Sequence, residues 1–435
     1  MVMAQFEPGK VLKTNFGAQI KIIKNIGEGG QGYVYLVEYG GKKKALKWYK
    51  PSSLRNPDAF YDNLKRNADK GSPDKAFLWP EAVTERTEGS FGYLMDLRPE
   101  GYYELSKILG SKKYNLGSFK AATEVCIRIV SAFRILHNNG YSYQDLNDGN
   151  FFINPKNGDV LICDNDNVAP DGTTTGILGK AGYMAPEIVV GKGKVLPNKQ
   201  SDRYSLAAIL FLILFTNNPL EGKRWVDSTV LTDKIQDKLY GSDPLFIFDP
   251  NNSSNRPDRK LQGWVIDIWN CMPKYLKDEF VKAFSQEALK DPNRRLRELD
   301  WVKVLTRFRS DIVRCSCGNE VFVQNATTTK CDNCGKPVVI KHSIKLPQYT
   351  VTAVKGSRIY RCQLGMCNAD DALTPVGLIV SKPDNPSVLG YKNMLPDIIQ
   401  ATTPSGKVNQ VPAKGVVPFK SGIIIEAFDK KIELN

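Results

Sequence analysis

Three oxygen-bearing side chains stand at turns between apolar segments in the middle of the chain. Asp145 and Asn150 lie five residues apart in a short loop, and Asp164 directly follows the apolar segment 160–163. A carboxylate can orient and deprotonate a hydroxyl acceptor, and carboxylate and amide oxygens are ligands that suit Mg²⁺. The spacing therefore indicates general-base and metal chemistry in one place, with Asp166 as a rival ligand to Asp164. Ordinary turn chemistry would explain each of these residues alone.

A glycine-rich segment and a lysine stand ahead of these residues. Gly27, Gly29 and Gly32 have the spacing G-x-G-x-x-G, and Val34 follows in a segment of β-forming residues. Glycines let a backbone approach phosphate oxygens and direct its N–H groups at them. A dinucleotide-binding fold would need a helix directly after the glycines, so the β-rich segment argues against it. Lys47 follows in an apolar strand, where a buried ammonium needs an anionic partner; a hairpin without a ligand and a surface lysine are the plainer alternatives.

Four of the nine cysteines form two close pairs, Cys315 with Cys317 and Cys331 with Cys334, separated by thirteen residues. Four thiolates presented by two turns can hold Zn²⁺ in a tetrahedral site, and a site with four protein ligands would be structural rather than catalytic. The segment resembles a zinc ribbon, although its first pair is C-x-C rather than C-x-x-C. Free cysteines are the alternative. This density of cysteines is typical of a metal site in a reducing compartment.

In order and spacing, the glycine, lysine, aspartate and asparagine segments resemble the eukaryotic-type protein kinase fold over roughly residues 15–308. Later segments extend the resemblance: Glu187 ends an A-P-E sequence, Asp202 opens a long apolar stretch, and Arg295 ends a D-P-x-x-R sequence. The resemblance implies an ion pair between Glu187 and Arg295. The A-P-E sequence favours a protein acceptor over a small molecule.

The length of 435 residues suggests two or three domains, and the composition is that of a soluble globular protein. The kinase resemblance implies a smaller lobe at about 15–95 and a larger lobe at about 99–308. We expect the zinc ribbon at 311–340 and a small β-rich domain at 345–435, where strand-forming segments alternate with Pro and Gly turns. The predicted fold class is α+β: a bilobal, protein-kinase-like fold followed by a zinc ribbon and a small all-β domain.

The resemblance also assigns a role to each matching position. Asp145 would be the catalytic base, and Lys47 would contact the α- and β-phosphates of ATP. Asn150 and Asp164 would hold Mg²⁺, which neutralises charge on the transferring group. The positions implied to bind the nucleotide are Gly27, Gly29, Gly32, Val34, Lys47, Met95, Asp96, Arg98, Glu104, Asn150 and Asp164.

Within that set, four positions belong to the segment that would meet the base and the sugar. Met95 would be the gatekeeper of the family's hinge. The Asp96 carbonyl and the Arg98 amide would meet adenine, and Glu104 would contact the ribose.

Three features depart from the family pattern. Gln144 replaces the arginine that usually pairs with a phosphorylated activation segment, so we predict no activation by that route. Asn165 and Asp166 replace the Phe and Gly that follow the metal-binding aspartate. A helix glutamate should pair with the ATP-binding lysine, but the predicted helix at 55–70 contains no Glu, and Asp62 is the best candidate there.

Two further departures occur as a pair. The family's lysine two residues after the catalytic aspartate is Asn147 here, and the threonine that faces it from the activation segment is Lys180. We hypothesise that Lys180 acts in catalysis by restoring positive charge near the γ-phosphate from the opposite side of the cleft. A solvent-facing lysine is the alternative.

The residues needed for Mg·ATP and for the acceptor are all present, so we predict a protein serine/threonine kinase. Two alternatives stay open. One is a pseudokinase scaffold that binds a nucleotide without transferring phosphate. The other is a kinase-regulated nucleic-acid-binding protein that uses the zinc ribbon and the net charge of +14. Few alternations of aromatic and basic residues support nucleic-acid binding, which would weaken steeply with salt.

Location and partners follow from weaker features. The N-terminus lacks a basic region followed by an apolar core, and the longest apolar run, residues 206–215, is too short to span a bilayer and reads as a buried helix. We expect a cytoplasmic protein without a membrane segment. The order of kinase, ribbon and β domain is similar to that of bacterial kinases that work with a type-2C protein phosphatase and a von Willebrand-A protein in stress or tellurite-resistance loci. That similarity implies these two proteins as partners, besides the protein substrate.

Overall fold

The structure, a computed structural model, describes residues 6–174, 176, 179–228, 230–365, 367–368 and 370–435. Among these residues the α-helices are α1 (Pro57–Lys70), α2 (Leu105–Gly110), α3 (Phe119–Asn138), α4 (Pro186–Gly191), α5 (Lys199–Phe215), α6 (Lys223–Val226), α7 (Asp233–Asp237), α8 (Gly263–Cys271), α9 (Lys274–Ala283), α10 (Gln286–Lys290) and α11 (Glu298–Asp311). The strands are β1 (Val11–Lys13), β2 (Gln19–Glu28), β3 (Gly32–Tyr39), β4 (Lys42–Tyr49), β5 (Ala82–Val83), β6 (Gly92–Asp96), β7 (Tyr103–Glu104), β8 (Tyr141–Ser142), β9 (Phe151–Asn154), β10 (Asp159–Ile162), β11 (Ala169–Pro170), β12 (Ile312–Arg314), β13 (Glu320–Phe322), β14 (Thr329–Lys330), β15 (Pro337–Val338), β16 (Ser343–Lys345), β17 (Thr350–Thr352), β18 (Arg358–Tyr360), β19 (Pro375–Ser381), β20 (Leu389–Asn393), β21 (Ile399–Thr402), β22 (Val408–Val411), β23 (Val416–Pro418), β24 (Ile423–Ala427) and β25 (Lys430–Leu434).

The described chain folds as two compact units. The first takes the residues up to Leu116 together with Ile135–Asp258 and Ala283–Arg295. The second takes Gly117–Arg134, Arg259–Lys282 and Leu296–Asn435. The sequence-based domain bounds do not follow this division and stay predictions.

The first unit begins with a six-stranded antiparallel sheet in the order β1-β2-β3-β4-β6-β5. Because successive side chains of a strand point to opposite faces, Leu46 and Trp48 of β4 lie on one face, and Lys47 and Tyr49 lie on the other. Leu46 and Trp48 belong to an apolar core built by the sheet. Tyr49 belongs to a separate core on the other face, which includes residues of α1. The alternation therefore turns Lys47 towards the side of the sheet that α1 covers.

The ends of helix α1 are fixed by its capping residues, and its packing is fixed by one apolar stripe. Asn56 caps its N-terminus, because the side chain accepts a hydrogen bond from the Ala59 amide, and the helix ends at Gly71, whose φ is 75°. Such an end favours glycine, which has no Cβ to strain. Phe60 and Leu64, four residues apart, are buried in the core that Tyr49 shares.

Helix α5 is the buried support of the first unit. It begins at Asn198, whose side chain accepts hydrogen bonds from the Gln200 and Ser201 amides in a capping box. The apolar run 206–215 forms most of this helix, and nearly all of that run is buried, as the sequence predicts. Among the described residues, no helix is long and apolar enough to cross a membrane.

The second unit combines helices with a two-sheet β structure. Ten strands, β16 to β25, form a six-stranded sheet in the order β17-β16-β25-β24-β21-β22 and a four-stranded sheet in the order β18-β19-β20-β23. Residues of both sheets share one apolar core, among them Ile344, Val351, Ile379 and Ile432. Two short hairpins, β12–β13 and β14–β15, precede these sheets and carry the cysteine pairs.

Candidate active site

Asp202 of the buried helix α5 holds the backbone in front of Asp145. Its carboxylate accepts hydrogen bonds from the Tyr143 amide at 2.6 Å and from the Gln144 amide at 3.0 Å. The Asp202 side chain is buried, and a buried carboxylate that accepts two amide protons makes strong, charge-assisted bonds. Gln144 has a φ of 74°, in the left-handed region, so the loop bends sharply just before Asp145. Sequence reasoning identified Asp202 only as the start of a helix and missed this role.

Asp145 lies half-buried in a net of asparagine amides. The Asn147 side chain donates to the Asp145 carbonyl at 3.2 Å and to its carboxylate at 3.1 Å. The Asn150 side chain donates to the same carbonyl at 2.8 Å, and Asn167 reaches the carboxylate at 3.5 Å. Burial raises the pKa of Asp145 to about 6, the hydrogen bond from Asn147 opposes that rise, and the charge of Asp164 adds to it. A carboxylate with such a pKa is suited to act as a general base near neutral pH.

Lys47 is buried and has the anionic partners that its position predicts. Its ammonium nitrogen lies 2.8 Å from the Asp166 carboxylate and 3.2 Å from the Asp164 carboxylate. Burial acts to lower the pKa of Lys47, but the charges of Asp166 and then Asp164 outweigh it, so the pKa lies above its usual value. The assignment of Asp62 as the partner is wrong. Asp62 is exposed, on the side of α1 that faces away from the buried residues Phe60 and Leu64.

Asp164 and Asn150 offer oxygen atoms suited to a metal ion. Asp164 follows β10 with a φ of 52°, and 45% of its side chain is exposed. Asn150 ends the single 3₁₀ turn Asp148–Asn150, which Asn147 caps by accepting a hydrogen bond from the Gly149 amide. Because Asn150 donates its NH₂ group to the Asp145 carbonyl, its side-chain oxygen, the atom that a metal needs, stays outside that bond. A carboxylate and an amide oxygen fit the ligand preference of Mg²⁺.

The glycine-rich segment includes the turn between β2 and β3, and its three glycines have different surroundings. A Cβ on Gly32 would lie 2.0 Å from the Trp48 carbonyl oxygen, so packing against β4 requires glycine there. Gly29 has nothing within 4 Å of an added Cβ, and Gly27 meets only Val34 at 3.9 Å. The open space in front of Gly29 is the space in which backbone amides can meet phosphate.

A side chain of this turn reaches the lysine. Gln31 accepts a hydrogen bond from Lys47 at 3.0 Å, a contact that sequence reasoning missed. Val34 stands directly opposite Lys47 in the pairing of β3 with β4, so both side chains point to the same face. The structure thus brings the turn, Val34 and Lys47 together.

The segment proposed to meet the base and the sugar follows β6. Met95 pairs with Ala45 of β4 and packs against the core that α1 shares, whereas Asp96 is exposed and forms an ion pair with Lys44 at 2.7 Å. The Arg98 guanidinium lies 4.0 Å from the centre of the Phe152 ring. Glu104 lies beside the loop that carries Asp145 and Asn150, because a Cβ on Gly149 would stand 3.9 Å from its carboxylate.

Lys180 lies beside the catalytic loop but is paired with another residue. Its ammonium forms an ion pair with Asp148 at 2.6 Å and stands 5.4 Å from the centre of the Tyr183 ring. The neighbouring Gly179 is close to Asp145, since an added Cβ would lie 3.7 Å from the Asp145 carboxylate. The segment that carries Lys180 therefore runs past Asp145.

The four cysteines of the second unit lie together. Their Sγ atoms are all within 4.8 Å of one another. Cys315 stands 3.7 Å from Cys334, and Cys317 stands 3.7 Å from Cys331. A tetrahedral site with Zn–S bonds of about 2.3 Å has sulfur–sulfur edges of about 3.8 Å. The cluster therefore has the size that a zinc ion requires.

Amide groups around the cluster favour thiolates. The pKa of Cys317 is lowered to about 6 by a hydrogen bond from the Asn319 amide and by one from the Asn333 side chain. The Asn319 side chain also donates to Cys331 at 3.8 Å. Since a metal binds the thiolate form, these bonds favour a cation at Cys317. At Cys334 the hydrogen bond from the Lys336 amide acts to lower the pKa, but desolvation and the neighbouring cysteines raise it to about 11.

The β12–β13 hairpin, whose turn carries Cys315 and Cys317, also holds a helix end. Glu320 of β13 accepts hydrogen bonds from the Phe119 amide at 2.5 Å and the Lys120 amide at 3.3 Å, at the N-terminus of α3. A carboxylate in that position satisfies free amides and favours the positive end of the helix dipole.

Comparisons with known proteins agree with the kinase resemblance. Residues 86–296 match the family model described as "Protein kinase domain". The chain is 24% identical over 323 residues to the serine/threonine-protein kinase ArnS of Sulfolobus acidocaldarius, covering 66% of this chain and 49% of that kinase. It is 25% identical over 252 residues to the serine/threonine-protein kinase AtPK1/AtPK6 of Arabidopsis thaliana, covering 55% of this chain and 51% of that kinase. The chain thus spans about half the length of these curated relatives.

Among solved structures, the kinase domain of Mycobacterium tuberculosis PknI matches with a TM-score of 0.44 and 16% identity, covering 69% of this chain and 98% of that chain. The family model and the curated relatives support a eukaryotic-type protein kinase domain. The family-model match begins after the glycine turn and Lys47, so the roles of those positions depend on their geometry.

Proposed function

We propose that the chain is an ATP- and Mg²⁺-dependent protein kinase that transfers the γ-phosphate to serine or threonine hydroxyls. The observation that carries the proposal is one constellation in the first unit. The Lys47 ammonium lies 3.2 Å from the Asp164 carboxylate, and the charge of Asp164 contributes to the raised pKa of Asp145. The Asn150 side chain donates a hydrogen bond to the Asp145 carbonyl at 2.8 Å. A positioned base, two oxygen ligands and a buried ammonium are the parts that phosphoryl transfer needs.

Each residue has a defined task in this mechanism. When bound, Mg·ATP supplies the phosphoryl group and neutralises part of its charge. Asp145 accepts the proton of the acceptor hydroxyl, and Asn147 fixes the orientation of its carboxylate. Lys47 would hold phosphate oxygens, Asn150 and Asp164 would hold Mg²⁺, and Gly29 leaves room for the phosphates.

Activation without a phosphorylated loop also belongs to the proposal. Gln144, which stands in place of the family's arginine, donates a hydrogen bond from its side chain to the Thr173 carbonyl at 2.8 Å. A neutral amide on a backbone carbonyl fixes the segment without a phosphate, whereas an arginine would need an anion there.

For the second unit we propose one structural zinc ion bound by Cys315, Cys317, Cys331 and Cys334. A type-2C protein phosphatase and a von Willebrand-A protein as partners, and a cytoplasmic location, stay proposals that rest on the resemblance alone.

The experiment that tests the function is product analysis after incubation with Mg²⁺ and γ-labelled ATP. We expect acid hydrolysis of the labelled protein, or of a generic protein substrate, to release phosphoserine or phosphothreonine. Label on tyrosine would correct the acceptor class. Nucleotide binding without any labelled product would favour the scaffold.

The activity is expected to fall as the pH drops through about 6, because the base must be unprotonated and the pKa of Asp145 is raised to about 6. Below that value the rate should fall about tenfold per pH unit, since the unprotonated fraction of Asp145 falls by the same factor. Initial rates at saturating Mg·ATP measure this over a pH series from about 5 to 8, which extends at least about one unit to either side of the expected transition. A rate unchanged well below the transition would contradict Asp145 as the base.

Lys180→Ala is expected to lower the transfer rate about tenfold or more, if the lysine leaves Asp148 to stabilise the transferring phosphate. The measurement is kcat for the folded variant. Lys192→Ala is the matched control, because Lys192 is also an exposed lysine paired with an aspartate, Asp237. Equal rates for the wild type and the Lys180 variant would show that the lysine only faces solvent.

A further inference from the structure

Asp166 is a carboxylate buried inside the first unit. Its exposed fraction is 0%, and it lies in the 3₁₀ turn Asn165–Asn167 directly after Asp164. One of its oxygens accepts from Lys47 at 2.8 Å and from the Tyr49 hydroxyl at 2.5 Å. A buried carboxylate persists in a fold only when a cation or strong donors satisfy it. Lys47 and Tyr49 are that cation and that donor.

Helix α1 contributes neutral groups to this region rather than a charge. Asn63 and Asn67 are buried on the helix, and both side chains donate to the Val168 carbonyl at 2.8 Å. The acidic residues of the helix, Asp58, Asp62 and Asp69, are all exposed. The helix therefore holds the segment that follows Asp164, and that segment holds Lys47.

The two carboxylates near Lys47 are not equivalent. Asp164 is 45% exposed in its side chain and carries the proposed metal role, whereas Asp166 has no access to solvent. A charge in a water-poor place acts more strongly on its neighbour than an exposed charge at similar distance. When a metal ion takes Asp164, Asp166 stays as the anion that fixes the lysine.

The segment around Asp166 is itself tied to its surroundings. The Asn165 side chain donates to the carbonyls of Leu78 and Ile162, each at 2.8 Å. Tyr49 comes from the same strand and the same face as Lys47. The carboxylate, the lysine and the hydroxyl are therefore held by backbone elements that have little freedom to separate.

We propose that Asp166 is the positioning residue for Lys47, in place of a carboxylate from α1. The turn that presents Asp164 to the metal also orients the lysine that meets the phosphates. This inference rests on the proposed nucleotide site. It assigns the orientation of Lys47 to the segment 164–168, which α1 holds through the Val168 carbonyl.

A double-mutant cycle tests the proposal through nucleotide affinity and thermal stability of the full chain. Asp166→Asn is expected to weaken the binding of Mg·ATP on the order of 10- to 100-fold, the effect of losing one charge-assisted contact. In phosphoryl transfer it should raise KM more than it lowers kcat, with the Mg²⁺ concentration at half-maximal rate unchanged. Asp62→Asn is the matched control and should change none of these quantities.

Lys47→Met completes the cycle. If Asp166 acts through Lys47, the variant with both substitutions should bind Mg·ATP no more weakly than Lys47→Met alone. Its Tm should exceed that of Lys47→Met, which leaves Asp166 buried without a cation. This comparison of Tm needs no activity, so it also decides the pairing if Asp166→Asn alone does not fold.

Additive losses of affinity, an equal effect of Asp62→Asn, or a lower Tm with unchanged affinity would each overturn the proposal. If the wild type binds Mg·ATP but transfers no phosphate, the proposed function fails while the coupling of affinities still supports the role of Asp166. If the wild type does not bind Mg·ATP, both are wrong.

Discussion

Replacing Asp164 with asparagine is expected to lower the rate of phosphoryl transfer on the order of 10²-fold or more. The substitution keeps the size of the side chain and removes the charge that would hold the metal ion. We also expect the variant to need a much higher Mg²⁺ concentration for half of its maximal rate. Initial rates across a series of Mg²⁺ concentrations, at fixed ATP, measure both effects.

Asp69→Asn is the control for Asp164→Asn, because Asp69 is an exposed carboxylate on α1 in the same unit. It should leave the rate and the Mg²⁺ dependence unchanged. If Asp164→Asn lowered the rate equally at every Mg²⁺ concentration, the residue would not be a metal ligand, and Asp166 would have to be reconsidered for that role.

Replacing Cys331 with serine is expected to release the zinc ion and to unfold the ribbon of the second unit. Structural zinc contributes on the order of 10 kcal/mol of apparent binding energy in small zinc domains, and that energy is folding energy. Cys331 is buried in the cluster. Because Glu320 of the β12–β13 hairpin caps α3, we also expect a lower Tm of the chain. Metal content by atomic emission and thermal denaturation followed by circular dichroism measure the two effects.

Cys271→Ser is the control for this prediction, since Cys271 is a cysteine of the same unit that lies exposed and outside the cluster. The wild type and this control should both carry one zinc per chain. A wild-type protein that carries no zinc, or a Cys331 variant that keeps both its zinc and its Tm, would contradict the structural site.

Local patterns of the sequence and the family resemblance were sufficient for several features. The sequence predicts a helix at 55–70, and α1 spans Pro57–Lys70. The pairing of Glu187 with Arg295, which the resemblance implies, is confirmed, with two hydrogen bonds at 2.8 and 2.6 Å. The convergence of the four cysteines is also confirmed, because two close pairs in two tight turns leave few other arrangements.

The partners of buried charges could not be predicted in the same way. Asp62 was the expected partner of Lys47 because it lies on the correct helix, but partner choice depends on which side of the helix faces the core. Asp166 lies 119 positions from Lys47 in the chain, and its burial has no local signature. The anchoring of the catalytic loop by Asp202 depends likewise on a contact between distant segments. Spacing identified the residue types, and packing decided the partners of Lys47 and Asp202.

Lys180 shows the limit of reasoning from a family pattern. The paired departures at Asn147 and Lys180 predict a relocated charge, and the structure places the ammonium 2.6 Å from Asp148 instead of free in the cleft. Asn147 meanwhile orients Asp145, a task for which an amide is suited because it donates and accepts at once. The relocation of the charge therefore requires that the Lys180 ammonium leave Asp148.

The central claim, that this chain transfers phosphate with Asp145 as its base, is tested most directly by comparing wild type and Asp145→Asn. Label transfer from γ-labelled ATP would be followed at equal, saturating occupancy by Mg·ATP, which calorimetry establishes for both proteins. We predict label on serine or threonine with the wild type and a rate lower by about 10²- to 10⁴-fold with the variant, as expected for loss of a general base. Binding of Mg·ATP by both proteins with no labelled product from the wild type would contradict the account and make the chain a nucleotide-binding scaffold.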